Sequence, residues 1–183
     1  ELAPKLQRYG RPVIRASIDG FHRPRAERHQ RGPTSAEGYF LDSFDYAALR
    51  EALLLPLGPL GSGMYHRAVF DFHADRPRVT PEEQAPASAI LVMDGVFLLR
   101  PELDALWDYR IWVETSFPVA LERAMRRDRV LFGSEEATQA RYQERYIPGQ
   151  RLYLEAAHPR ERANALVWND EPAQPHLTFR DDM

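Results

Sequence analysis

Three short apolar runs in this chain end in acids, at positions where a strand would stop. Ala16-Ser17-Ile18 leads into Asp19-Gly20, Leu91-Val92-Met93 into Asp94-Gly95, and Val167-Trp168 into Asn169-Asp170. A carboxylate fixed at a strand end can take a proton as a general base, or hold a hard divalent cation directly or through water. Asp-Gly also makes an ordinary turn after a strand. Two carboxylates at one sheet edge repel, however, and are tolerated where a cation or a cationic substrate neutralises them. Asp71, His73 and Asp75 alternate along another extended segment, and His73-Ala74-Asp75 matches the start of a facial metal triad. No distal histidine stands at a recognisable spacing, so a polar strand end is the better reading there. The chain has no cysteine, which excludes thiolate nucleophiles, CxxC zinc sites and disulfides together.

The basic residues carry a second signal. Lys5 is the sole lysine, so the rest of the Lys+Arg total of 24 is arginine. Any phosphate or carboxylate clamp must therefore be built from guanidinium forks, which suit planar bidentate recognition. Arg123, Arg126, Arg127 and Arg129 crowd one helical segment, and Arg141, Arg145 and Arg151 follow. Arginines at helical spacing form a solvated face in many proteins. Here their density suits a lid that grips polyphosphate.

The elements that would position these residues alternate between strand and helix. Residues 1–9 read as a helix with Gly10 as its cap, residues 12–18 as a strand, and residues 21–33 as a polar, Arg-rich loop. Residues 42–55 return to helical spacing until Pro56, and residues 67–72 are a second strand. The run Ala89–Met93 is continuously apolar, which predicts a strand covered on both faces. Residues 109–114 and 165–168 are further strands; helices are expected over 117–129, 135–146 and 150–157. The alternation predicts an α/β fold with a doubly wound, mainly parallel sheet flanked by helices, and ligands bind such sheets beyond the carboxyl ends of the strands. At 183 residues the chain reads as one domain, with residues of about 129–151 as the lid. Its formal net charge of −3 gives no electrostatic case for nucleic acid or an anionic membrane. Its apolar runs are too short to span a bilayer, no signal peptide is visible, and a cytoplasmic location is expected.

The run ending in Asp94 has the form of a Walker B strand, whose acid serves Mg²⁺. Its usual partner, GxxxxGK followed by Ser or Thr, is not in the chain; the glycines of residues 58–63 lack the lysine and the following helix. The order of motifs nevertheless resembles the uridine kinase, phosphoribulokinase and pantothenate kinase group of P-loop kinases. Residues 16–22, Ala-Ser-Ile-Asp-Gly-Phe-His, stand where that group has the strand ending in its catalytic Asp. Leu41-Asp42-Ser43-Phe44-Asp45 resembles its Pro-Asp-Ala-Phe-Asp, Val69-Phe70-Asp71-Phe72 its Tyr-Asp-Phe, and Met93-Asp94-Gly95 its Glu-Gly metal site. Residues 121–128 resemble the entrance to its lid. The likeness runs to about residue 172.

The resemblance implies an ATP- and Mg²⁺-dependent kinase acting on a primary hydroxyl of a small molecule, with uridine or cytidine as the expected acceptor. Asp19 would be the base and, with Asp94, the Mg²⁺ residue. His22 and Asp42 would hold the acceptor, with Phe70 and Asp75 beside it. Arg123 and Arg127 would meet the nucleotide phosphates, and Asn169 would lie near the adenine. Phe70 replaces a tyrosine, Ala124 replaces an arginine that touches ribose, and Asp75 stands near the place of a base-reading histidine. These departures leave pantothenate or a sugar as other acceptors. Its partners would be that acceptor and the nucleoside triphosphate, with self-association open. The segment before the Asp19 strand reads as the helix that follows a phosphate loop, so the strand and loop themselves are expected upstream of Glu1. A non-catalytic nucleotide-binding scaffold, and a metal-dependent oxygenase built on His73 and Asp75, are the readings from other classes.

Overall fold

Alternation of small and branched residues with polar ones makes Val13–Ser17 the first strand, β1, of the computed structural model, which describes residues 2–180. Ile14 and Ala16 are buried while Arg15 between them faces out. Helix α1 (Leu2–Gln7) precedes it, and β6 (Ile90–Asp94) pairs with it in parallel, Val13 opposite Ile90 through Ser17 opposite Asp94. The chain divides into two compact units.

The first unit comprises the residues up to Gln30 together with Leu41–Leu98. It holds the β1–β6 pair, α2 (Arg25–Arg28), the end of α3 (Ala36–Asp42), α4 (Tyr46–Leu49), a π-helical turn (Arg50–Leu54) and α5 (Leu55–Leu57). Two short antiparallel ladders complete it, β2 (Met64–Tyr65) with β5 (Glu83–Gln84) and β3 (Phe70–Asp71) with β4 (Arg76–Pro77). Ile14, Ile18, Phe21, Phe44, Leu49 and Phe97 form its core, each at most 3% exposed. Burying side chains of this size is worth about 1.5–3 kcal/mol apiece before chain entropy is charged against it.

The second unit comprises Arg31–Phe40 and the residues from Leu99 onward. Strand β7 (Ile111–Glu114) runs parallel to β8 (Ala165–Trp168), and β9 (His176–Phe179) pairs antiparallel on the other side of β8. Helix α6 (Phe117–Phe132) stops where Gly133 turns left-handed at φ 93°, a conformation that costs glycine little. Ser134 then caps α7 (Glu135–Arg141) by accepting from the Ala137 N–H at 3.1 Å. A π-helical turn (Tyr142–Tyr146) leads into α8 (Ile147–Ala157), followed by the short α9 (Pro159–Arg162). Tyr153 anchors α8: its ring lies 6.2 Å from Trp112 and 6.0 Å from Phe40, and its hydroxyl accepts from the Leu99 N–H.

Several expectations need correction. The strands form four sheets, with parallel pairing in β1–β6 and β7–β8. β6 is half-buried along Ile90–Met93, not covered on both faces. The helix expected over 42–55 breaks between Asp42 and Tyr46, because Phe44 pairs in antiparallel fashion with His22 and Asp45 caps α4. The strand expected over 67–72 shrinks to Phe70–Asp71. Among the described residues no helix is long and apolar enough to cross a membrane.

Candidate active site

The parallel register of β1 and β6 brings two of the acidic exits to one edge. Ser17 stands opposite Asp94, and Asp19 follows Ser17 in a 3₁₀ turn (Ile18–Phe21). Each exit depends on its glycine. A Cβ on Gly95, whose φ is +156°, would meet Ile18 Cγ2 at 2.2 Å, and one on Gly20 would meet Ala68 Cβ at 2.6 Å. Both contacts are closer than real side chains make, so the two Asp-Gly pairs are places where backbone must pass close to a neighbour. The Asp19 side chain is 58% exposed, and the His22 Nδ1 lies 4.0 Å from its Oδ1. Asp94 is exposed and its carboxylate has no hydrogen bond or ion pair among the described residues.

A second segment is laid against this edge. Arg23 donates its N–H to the Ser43 carbonyl at 3.0 Å, Asp45 donates to the Phe21 carbonyl at 2.8 Å, and the Arg23 guanidinium reaches the Phe44 carbonyl. Ser43–Asp45 is thus paired along Phe21–Arg23, and the half-buried Asp42 immediately precedes the paired residues. Its companion Asp45 is occupied structurally, accepting from the Ala48 N–H at 2.9 Å.

His22 is held in an aromatic setting. Its ring stacks on Phe72 at 4.8 Å and meets the edge of Phe44 at 4.5 Å, while Nδ1 lies 3.1 Å from the Asp19 carbonyl oxygen. Burial holds its pKa below the ordinary value; the Asp19 carbonyl and carboxylate pull it back up, and the charges of Arg28 and His73 depress it further. It is therefore a neutral imidazole at neutral pH.

Phe70 is buried in β3 at 7% exposure and packs in the core, whereas Phe72 is the aromatic that reaches His22. Asp75 is drawn toward α2: one carboxylate oxygen accepts from the Arg25 N–H at 2.8 Å and from Arg28 Nη2 at 3.2 Å. The Arg25 hydrogen bond, then Arg28, hold its carboxyl below the usual range. Asp75 sits at φ 51°, in the left-handed region, as the turn after β3 demands. Asp71 accepts from the N–H groups of His73 and Ala74, which makes it a turn-forming residue. No group of three or more metal-ligating side chains occurs among the described residues, so nothing there assembles a facial triad around His73 and Asp75.

In the second unit, Arg123 is a bracket. Its Nη2 donates to the carbonyls of Asn169 and Asp170, both at 2.7 Å, while Asp170 accepts from the Ser116 N–H at 2.7 Å. The Asn169-Asp170 turn after β8 is thereby tied to both the start and the middle of α6. Arg127 is exposed and forked onto Asp128, with Tyr142 completing the contact. Neither Asp128 nor Tyr142 is singled out by spacing; Tyr142 reaches the arginine only because α7 folds back on α6. A cavity of about 380 Å³ lined by Asp104, Arg110, His158, Glu161 and Arg162 contains none of the expected residues, and its two arginines already share the Asp104 carboxylate.

Neither a protein-family model nor a curated protein sequence matches the chain. Solved structures do. A possible uridine kinase from Bacillus stearothermophilus superposes with a TM-score of 0.68 at 20% identity, covering 90% of this chain and 77% of that one. A candidate fructose transport system kinase from Silicibacter sp. TM1040 superposes with a TM-score of 0.69 at 22% identity, covering 85% and 76%. This likeness shows that the chain has the fold of these two kinases.

Proposed function

We propose that the chain is a kinase domain of the uridine kinase, phosphoribulokinase and pantothenate kinase group, transferring the γ-phosphoryl group of ATP to a primary hydroxyl of uridine or cytidine. The observation that carries this reading is the pairing of Ser43–Asp45, the residues directly after Asp42, along Phe21–Arg23, together with two strand exits that present Asp19 and Asp94 at one edge. One segment supplies an acceptor-binding acid and the other a base.

In this reading Asp42, with the neutral His22, binds the acceptor, and Asp19 takes the proton from its hydroxyl as the oxygen attacks phosphorus. The bond from phosphorus to the bridging oxygen breaks, ADP leaves, and the proton stays on Asp19. Asp19 and Asp94 would also hold Mg²⁺. They fit it: both are hard oxygen donors, and neither carboxylate is consumed by a hydrogen bond among the described residues. When bound, the ion supplies positive charge against the phosphates. Arg127 offers a guanidinium fork to the phosphates, Arg123 holds the turn that carries Asn169 toward the adenine, and Phe70 and Asp75 support the acceptor side.

A sugar acceptor is a second reading, favoured by the Silicibacter neighbour. The test is phosphoryl transfer by the full-length protein from Mg·ATP to a panel of uridine, cytidine, fructose and pantothenate, read by product mass and ADP release. A nucleoside monophosphate with matching ADP is the expected result. Fructose phosphate alone moves the assignment to the sugar, and Mg·ATP binding without any product points to a scaffold.

A further inference from the structure

We propose that Asp128 and Tyr142 are positioning residues that latch the Arg127 guanidinium, so that a polyphosphate must displace the Asp128 carboxylate to engage it. The proposal rests on the reading of Arg127 as a phosphate-binding residue.

The contact is complete on the protein side. Arg127 Nε donates to Asp128 Oδ1 at 2.6 Å and Nη2 donates to Oδ2 at 2.9 Å, a two-pronged fork on one carboxylate. Nη2 also donates to the Tyr142 hydroxyl at 3.0 Å, and that hydroxyl donates to Asp128 Oδ2 at 2.8 Å. Adjacent residues on a helix do not face each other, so this fork is not a by-product of helical spacing. Something must hold the carboxylate in place, and Tyr142 does. Its ring packs edge-on against Tyr146 at 5.0 Å, and Tyr146 in turn meets Tyr39 at 4.7 Å and Phe132 at 6.3 Å. Burial, then the Asp128 hydrogen bond, keep the phenol protonated and able to donate.

The exposures are unequal in the direction a latch needs. The Asp128 side chain is 14% exposed and that of Arg127 is 71% exposed. The acid and tyrosine are the fixed half, and the guanidinium is the half that faces solvent. A carboxylate and a phosphoryl group present similar pairs of oxygens to the same planar fork, so they compete for it. Once Arg127 leaves, Asp128 keeps the Tyr142 hydroxyl as a partner, which lowers the cost of release.

The test is titration calorimetry of inorganic tripolyphosphate into the full chain. Asp128→Asn removes the charge that holds the fork, and we expect it to bind about 2–5-fold more tightly than wild type, the span of an exposed ion pair. Tyr142→Phe shifts affinity the same way by less, and serves where Asp128→Asn fails to fold by its melting profile. Arg127→Gln weakens binding, and in that background Asp128→Asn gains nothing. Equal or weaker binding by Asp128→Asn and Tyr142→Phe overturns the latch. So does a gain that persists with Arg127→Gln, since it would report only the loss of a negative charge. If Arg127→Gln binds as wild type, the phosphate role of Arg127 fails, and the latch with it.

Discussion

Asp19 and Asp94 can be separated by what each loses on becoming an amide. Asp19→Asn keeps the size and the exposed setting of the residue, so the melting temperature should hold while kcat falls by about 10²–10⁴, the contribution of a positioned base. Retention of more than about a tenth of the wild-type rate removes Asp19 from that role. Asp94→Asn should instead raise the Mg²⁺ concentration for half-maximal rate, because one charge facing the cation is gone. A titration curve that does not move contradicts the metal role. His22 predicts a pH effect on stability. Its folded pKa lies below the unfolded 6.5, so on acidification the unfolded chain takes up the proton first. The stabilising contribution is complete above the unfolded value and is lost as pH falls from there through the folded value. Between about pH 7.5 and about pH 5.5, wild type should lose more melting temperature than His22→Gln does. Equal losses would show that the imidazole is not what titrates.

The elements carry their own consequences. Gly95→Ala puts a methyl group onto Ile18 in a backbone conformation that L-residues avoid, and should cost about 2–5 kcal/mol in urea unfolding. A loss below about 1 kcal/mol would mean that the turn after β6 can shift. Much of this level could be read from the sequence. β8 spans the residues expected of it, β1 and β6 lie within the runs that named them, and α6 and α8 stand where helical spacing put them. The acidic exits were legible for the same reason, since an apolar strand followed by Asp-Gly leaves little choice of where the acid points. What was not legible depended on partners far along the chain. Nothing local says that Phe44 will pair with His22 and break a helix, or that Arg123 will spend its donors on the carbonyls of Asn169 and Asp170. Composition alone reads residues 129–151 as a lid and shows nothing of what holds them. Tyr146 gathers Tyr39, Phe132 and Tyr142, and Arg145 is buried at 3% exposure with its guanidinium on the Pro33 carbonyl at 2.7 Å. Arg145→Met should therefore cost about 1.5–3 kcal/mol, the range for a hydrogen bond from a charged group, and an unchanged unfolding midpoint would contradict that anchoring.

Across the whole molecule, hydrogen exchange should grade along the proposed lid. Residues 129–137, largely exposed, should exchange faster than residues 138–151, where Thr138, Arg145 and Gly149 are buried. Added Mg·ATP should slow the first stretch and leave the second little changed; uniform exchange with and without ligand would argue against a lid. The arrangement of the chain in the second unit also sets a timetable. Arg31–Phe40 belongs with residues that come after Leu98, and Pro33 must meet an arginine 112 positions later. A ribosome adding about 5–20 residues per second needs roughly 6–22 s to make that stretch. During this interval the segment from Arg31 to Phe40 has left the exit tunnel without the partners that cover Tyr39 and Phe40. Synthesis then sets the earliest moment at which this helix can be sheltered.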